Sequence, residues 1–143
     1  MASDPNCFYC TKDERLSKVL IEICKLEVST LFLFREQTYR GRCVVALNGH
    51  ETELFHLDVA TLSRFSRDVA NVAAAIQHAF GPAKINYAIY GDLVPHLHYH
   101  IVPKYPGGDQ WGEPFLVHPP AQHYLDDAGY REIIGKIKAH ISA

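Results

Sequence analysis

The sequence predicts an α+β fold with an antiparallel sheet, on three observations. Leu62, Phe65, Val69, Val72, Ala73, Ile76 and Phe80 trace one apolar stripe between Asp58, which suits an N-cap, and a stop at Gly81-Pro82. That is one long helix packed on something flat. Short stretches rich in Val, Thr, Leu, Phe, Ile and Tyr lie on both sides of it, bounded by turn residues. Finally, His96-Leu97-His98-Tyr99-His100-Ile101-Val102 alternates with a period of two, the periodicity of a strand. The order of elements lacks the regular strand-helix-strand repeat of a parallel sheet.

Taken in order, Thr11-Lys12-Asp13-Glu14 fits a capping box, and Leu16, Val19, Leu20 and Ile23 recur at helical spacing, which predicts a short first helix. Leu26 to Phe34 reads as a strand, Arg35 to Gly41 as a turn, and Arg42 to Leu47 as a second strand broken at Asn48-Gly49. After the long helix, Ile85 to Tyr90 reads as a strand and Gly91 to Pro95 as a turn. The histidine run then pairs back as the second arm of a hairpin. The Pro- and Gly-rich stretch from Pro103 to Pro120 reads as a long loop, and Tyr130, Ile133, Ile134, Ile137 and Ile141 mark a closing helix that tolerates Gly135. A chain of 143 residues is expected to form one domain, with residues 103–143 as a C-terminal loop and helix extension.

Charge narrows the function. With 14 Lys+Arg against 16 Asp+Glu there is no bulk positive charge to hold a nucleic-acid backbone or an anionic membrane, although a local anion site is compatible. No apolar run approaches the roughly 20 residues needed to span a bilayer, and Met1 to Pro5 lacks the basic and apolar parts of a secretory signal. A cytoplasmic protein with reduced thiols is the expectation for Cys7, Cys10, Cys24 and Cys43. Cys24 and Cys43 fall within predicted regular structure and are assigned to the core. Cys7-Phe8-Tyr9-Cys10 is compatible with metal binding, redox chemistry or neither.

On an extended strand His96, His98 and His100 share one face, which a solvated edge, a metal site or a catalytic site would each explain. Strand positions two apart stand about 6–7 Å from each other, so one or two ligands to a single ion are easier than three. As catalysis, a neutral imidazole attacks phosphorus or an acyl centre when its other nitrogen donates to a carbonyl. His98, in the middle, is the natural nucleophile. His96 and His100 flank it and can stabilise charge on the transferring group. A tetrahedral zinc at Cys7 and Cys10 needs two more ligands, and His50, just beyond the second predicted strand, is one candidate.

Gly91-x-x-Val94-Pro95-His96-Leu97-His98-Tyr99-His100-Ile101-Val102-Pro103 resembles the histidine triad (HIT) nucleotide hydrolases and transferases, whose motif is His-φ-His-φ-His-φ-φ with φ apolar. The resemblance extends more loosely over nearly the whole chain, including the N-terminal Cys-x-x-Cys of a bacterial-type branch. It implies the HIT-like fold: an antiparallel sheet, one long helix and a C-terminal helical extension. It also implies attack by His98 on the α-phosphorus of a nucleotide derivative through a nucleotidyl-histidine intermediate, with His100 against the α-phosphate and His96 completing the triad. A structural zinc on Cys7, Cys10, His50 and His96 is implied in the same way, as is a homodimer.

Three support positions depart from the family pattern. Arg40-Gly41-Arg42 stands where the family has Pro-Gly-His, Phe34-Arg35-Glu36 where it has a ribose-binding Asp or Asn, and Gly91-Asp92-Leu93 where it has Gly-Gln-Ser. Arg42 is expected to offer phosphate a fixed positive charge, with Arg35 and Arg40 doing the same if they face the site. Asp92 is a candidate general acid and Asn86 a candidate polar contact to substrate. Trp111 and Phe115 suit a lid, a dimer contact or ordinary packing equally. Against turnover stands the alternative of a zinc-containing nucleotide-binding module that has lost it. A third reading is a histidine-rich metal-binding protein.

Overall fold

The structure, a computed structural model, describes residues 2–141. Five strands form one antiparallel sheet in the order β1-β2-β3-β5-β4: β1 (Leu20–Lys25), β2 (Ser29–Phe34), β3 (Cys43–Leu47), β4 (Lys84–Ile89) and β5 (His98–Lys104). Between β3 and β4 runs the long helix, which we label α3 (Val59–Phe80); two single-turn helices, α1 (Phe8–Thr11) and α2 (Glu14–Ser17), precede β1, and α4 (Asp127–Lys138) closes the chain. No helix among the described residues is long and apolar enough to cross a membrane.

The long helix has the predicted limits. Asp58 accepts from Thr61 N–H at 2.7 Å as N-cap, and Gly81 ends the helix with a left-handed φ of 63°. Its apolar stripe packs with Leu31, Leu33, Val45 and Ile101 from the sheet and with Tyr130, Ile133 and Ile137 from α4. Inside the stripe sits the buried Asp68, whose carboxylate accepts from Ser29 Oγ at 2.6 Å and from Val28 N–H at 3.0 Å. It ties the β1–β2 turn to the helix.

The opposite sheet face is covered too. Phe32, Phe34, Val44 and Ala46 pack there with Cys7, Tyr9, Leu16 and Leu20 from the N-terminal segment. Every residue of β2 and β3 is therefore buried, which explains why these strands read as continuous runs of apolar and hydroxyl residues without alternation.

Two expectations are corrected. The predicted first helix stops at Ser17, capped by Asp13 rather than Thr11, and Leu20 onward is the edge strand β1. Helical spacing of Leu16, Leu20 and Ile23 was misleading because Leu20 and Ile23 bury on opposite sheet faces, against Leu16 and α3 respectively. Tertiary pairing of β1 with β2 overrides the local helical pattern. Secondly, β5 begins at His98, so His96 and Leu97 lie in the segment leading into it. Leu97 N–H donates to Glu51 O and its carbonyl accepts from Leu47 N–H, fastening this segment to the end of β3.

Candidate functional site

At the N-terminal end of the histidine row, four side chains converge. Cys7 Sγ lies 3.3 Å from His96 Nδ1, Cys10 Sγ lies 3.5 Å from His50 Nδ1 and 3.7 Å from His96 Nδ1, and the two Nδ1 atoms are 3.2 Å apart. All four donor atoms lie within 4.8 Å of one another. A tetrahedron with zinc–nitrogen bonds of about 2.0–2.1 Å and zinc–sulfur bonds of about 2.3 Å has edges of about 3.3–3.8 Å, so this set fits a four-coordinate zinc in size and in donor chemistry. Local structure explains the convergence: α1 turns on Cys7, whose carbonyl accepts from Cys10 N–H and Thr11 N–H, bringing both thiols to one side. With four protein donors the site is closed, which is structural geometry. Burial pushes the Cys7 thiol up, a cost that coordination to a cation offsets.

Each triad imidazole has a partner that fixes its tautomer. His96 Nε2 is 2.7 Å from Leu47 O; a carbonyl only accepts, so Nε2 carries the hydrogen and Nδ1 keeps its lone pair for the metal set. His98 Nδ1 is 2.5 Å from His96 O, so Nδ1 is the donor and the lone pair lies on Nε2. His100 Nδ1 is 3.3 Å from Arg42 Nη2, and a guanidinium only donates, so here Nδ1 accepts. Burial lowers the pKa of all three; for His100 burial, reinforced by the charge of Arg42, brings it down to about 3.

His98 and His100 line a cavity of about 590 Å³. Its walls come from the Cys-x-x-Cys turn (Phe8, Tyr9), the end of β2 (Phe34, Arg35, Glu36) and the turn after β4 (Tyr90 to Val94). Val117, His118, Gln122 and Tyr124 from the C-terminal segment complete it. Tyr9 ties the two sites together, its ring 5.1 Å from His96 and 5.0 Å from His98 by centroid. Burial raises the Tyr9 hydroxyl well above its ordinary value, so it stays protonated.

The predicted substrate contacts separate. Asp92 lines the cavity; Arg35 does too, its Nε donating to Ser17 O at 2.6 Å. Asn86 sits half-buried on β4 opposite Val102, and it is not part of the cavity wall. Arg42 is fully buried at 0% exposure behind His100, where the sequence leads one to expect a direct phosphate contact. Its turn position depends on Gly41, which holds a φ of +93° and where a Cβ would meet the Phe80 ring at 2.8 Å. Arg40 instead points to Glu132 at 3.8 Å and over Phe80. Leu93 stands 88% exposed at the cavity rim. Phe115 is buried with its ring 5.8 Å from His100, whereas Trp111 is exposed and is not part of the cavity wall.

Sequence reasoning did not find Tyr9, Tyr90, His118 or Tyr124 as cavity residues. For Tyr9 a signal existed, since a residue between two metal-binding cysteines must lie beside the metal. The others are brought in by long-range contacts: Lys104, buried, donates to Gln110 O and Glu113 O, and Glu36 accepts from His123 N–H at 2.6 Å, straps that hold the C-terminal segment against the sheet.

The same fold recurs in known proteins. The model of the HIT domain matches residues 17–107. Among solved structures, a histidine triad protein from Bradyrhizobium japonicum is 24% identical with a TM-score of 0.79, over 91% of this chain and 96% of that one. A histidine triad (HIT) protein from Sinorhizobium meliloti is 22% identical with a TM-score of 0.81, over 90% and 94%. A Zn-bound histidine triad family protein from Mycobacterium smegmatis is 18% identical with a TM-score of 0.67, over 94% of each chain. The search of curated proteins gave no significant match. The family model thus spans the sheet, the long helix and all three histidines of the row, and the chain belongs to the HIT family.

Proposed function

We propose that the protein is a nucleotide hydrolase or nucleotidyl transferase acting at the α-phosphate of a nucleotide derivative, of the phosphoramidase or dinucleoside polyphosphate hydrolase type. The observation that carries this is the tautomer of His98: with Nδ1–H held by the His96 carbonyl, the Nε2 lone pair is the nucleophile the cavity receives. Nε2 attacks the α-phosphorus, an N–P bond forms, and the bond to the leaving group breaks with its electron pair departing on that group. Water then attacks the same phosphorus and releases a proton to solvent, the N–P bond breaks, and the pair returns to Nε2. Lys18 and Arg35 supply positive charge along the cavity, and Asp92 is a candidate proton carrier for the leaving group.

Zinc on Cys7, Cys10, His50 and His96, a reading supported by the Zn-bound state of the Mycobacterium smegmatis relative, would contribute folding energy and rigidity rather than water activation. A homodimer, implied by the family, belongs to the same proposal; β4 is a sheet edge and presents Tyr87 at 50% exposure. Light scattering of the purified protein tests it, and a monomer at all concentrations would contradict it.

The function is tested by incubating the protein with adenosine phosphoramidate and with dinucleoside polyphosphates, followed by intact mass measurement. A nucleotidyl adduct on wild type, absent from His98→Ala, is the expected result. Tight binding with neither adduct nor turnover would replace the enzyme by the nucleotide-binding module that the change to Leu93 suggests.

A further inference from the structure

Arg42 is the most completely buried charged side chain among the described residues, and its surroundings are those of a built site. Its guanidinium lies 3.8 Å from the Phe34 ring centroid and 5.3 Å from that of Phe115, an aromatic sandwich with no water-facing side. Nη1 donates to Val117 O at 3.1 Å and Leu116 O at 3.5 Å, and Nη2 faces His100 Nδ1 at 3.3 Å. Nε is, among the described residues, the one buried side-chain nitrogen or oxygen with no partner. Glu36 is the acidic group that acts favourably on it by charge, yet it does not hydrogen-bond the guanidinium. Burial of an arginine on these terms costs more than packing alone explains.

We propose that Arg42 is a positioning residue that acts through His100, locking it as a neutral imidazole with the hydrogen on Nε2, so that the triad's third histidine is a permanent hydrogen-bond donor to the phosphate rather than a proton carrier. This rests on the functional reading above. A guanidinium cannot accept a hydrogen bond and does not give up its proton, so a hydrogen on His100 Nδ1 would be aimed at an N–H donor and at a positive charge. The groups facing His100 agree with this: Arg42 and His118 oppose its protonation by charge, as does His98, while Phe34, Tyr90 and Phe115 pack against its ring. A histidine at position 42 would share a proton with His100 and make the pair titratable. Arginine removes that freedom. The same guanidinium holds the Leu116 and Val117 carbonyls, so the donor is set by the segment that also brings Val117 and His118 to the cavity.

The test has two parts that fail independently. Ring ¹⁵N spectra of the full-length wild type need neither a variant nor turnover: His100 is expected as the Nε2–H tautomer, unchanged from pH 5 to 8, and an Nδ1–H or mixed state overturns the proposal. Turnover of adenosine phosphoramidate is then followed in a double-mutant cycle. Arg42→Met is expected to lower kcat about 10- to 100-fold, the usual cost of losing the outer partner of a working histidine, with KM little changed. In the His100→Leu background the same change should cost nothing further. His100→Gln, whose amide oxygen accepts from Arg42 and whose N–H₂ donates to the cavity, should recover much of the loss seen in His100→Leu. Equal effects of Arg42→Met in both backgrounds would show a purely structural residue and overturn the proposal. A correct tautomer in a protein that neither binds covalently nor turns over nucleotides would leave the His100 assignment standing and remove the functional reading.

Discussion

The two ends of the histidine row achieve the same end, an imidazole that cannot change its protonation pattern, by opposite means. At one end His96 gives its hydrogen to Leu47 O and turns a lone pair to two thiols and a second histidine, a set that needs a cation to be stable. At the other end His100 takes a hydrogen bond from a guanidinium that carries its own fixed charge. Between them His98 depends on the first end only, because its acceptor is the backbone carbonyl of His96. On the proposed mechanism the metal end governs both stability and the aim of the His98 nucleophile, and the arginine end governs what the transferred phosphate would meet.

The largest expected effect breaks the metal end. Cys7→Ser should remove the metal and cost several kcal/mol of folding free energy, by the linkage of coordination to folding. Urea unfolding with and without a chelator reads this directly; wild type whose midpoint ignores the chelator would count against the site. Phe115→Ala comes next, a cut at the arginine end. Removing a buried ring that touches Tyr39, Tyr90, His100 and Arg42 should cost about 3–5 kcal/mol in the same assay without altering zinc content.

A smaller, pH-dependent effect sharpens the contrast. The pKa of His100 is about 3 in the folded chain against 6.5 ordinarily, so between those values the unfolded chain takes up a proton that the folded chain refuses. Stability contributed by neutral His100 is complete above about pH 6.5 and is lost progressively as pH falls towards about 3. In Arg42→Met this acid-side slope should shrink without vanishing, because burial is the larger cause and the arginine charge the second. Unfolding midpoints at a series of pH values decide it; an identical slope would show that Arg42 exerts no charge effect. Smallest is His118→Gln, whose exposed ring is the least of the charges acting on His100, and whose stability should stay within about 0.5 kcal/mol of wild type.

The two ends also differed in how much the sequence revealed. Cys7 and Cys10 alone leave metal, redox chemistry or neither open, and the full set with His50 and His96 is legible only through the resemblance to the HIT family, whereas the long helix is legible because an amphipathic stripe with both caps is a local signal. Edge strand β1 was misread because helical spacing and two-sided burial happen to coincide at Leu16, Leu20 and Ile23. Arg42 was seen as a departure from the family pattern, but its role was not: an arginine beside a turn glycine looks solvated until Phe34, Phe115 and the C-terminal segment close over it. His118 reaches the cavity only because Lys104 and Glu36 strap that segment down, contacts with no mark in local sequence.

In the proposed mechanism His98 attacks through Nε2, since its Nδ1 is committed to the His96 carbonyl. The most direct measurement is the position of the covalent bond. Protein reacted with a nucleotide donor and quenched in alkali, where N–P bonds persist, is digested, and the modified ring is identified by ³¹P-coupled NMR of the adduct peptide. The bond is expected on Nε2 of His98. A bond on Nδ1 of that ring, or on any other histidine, would contradict the account.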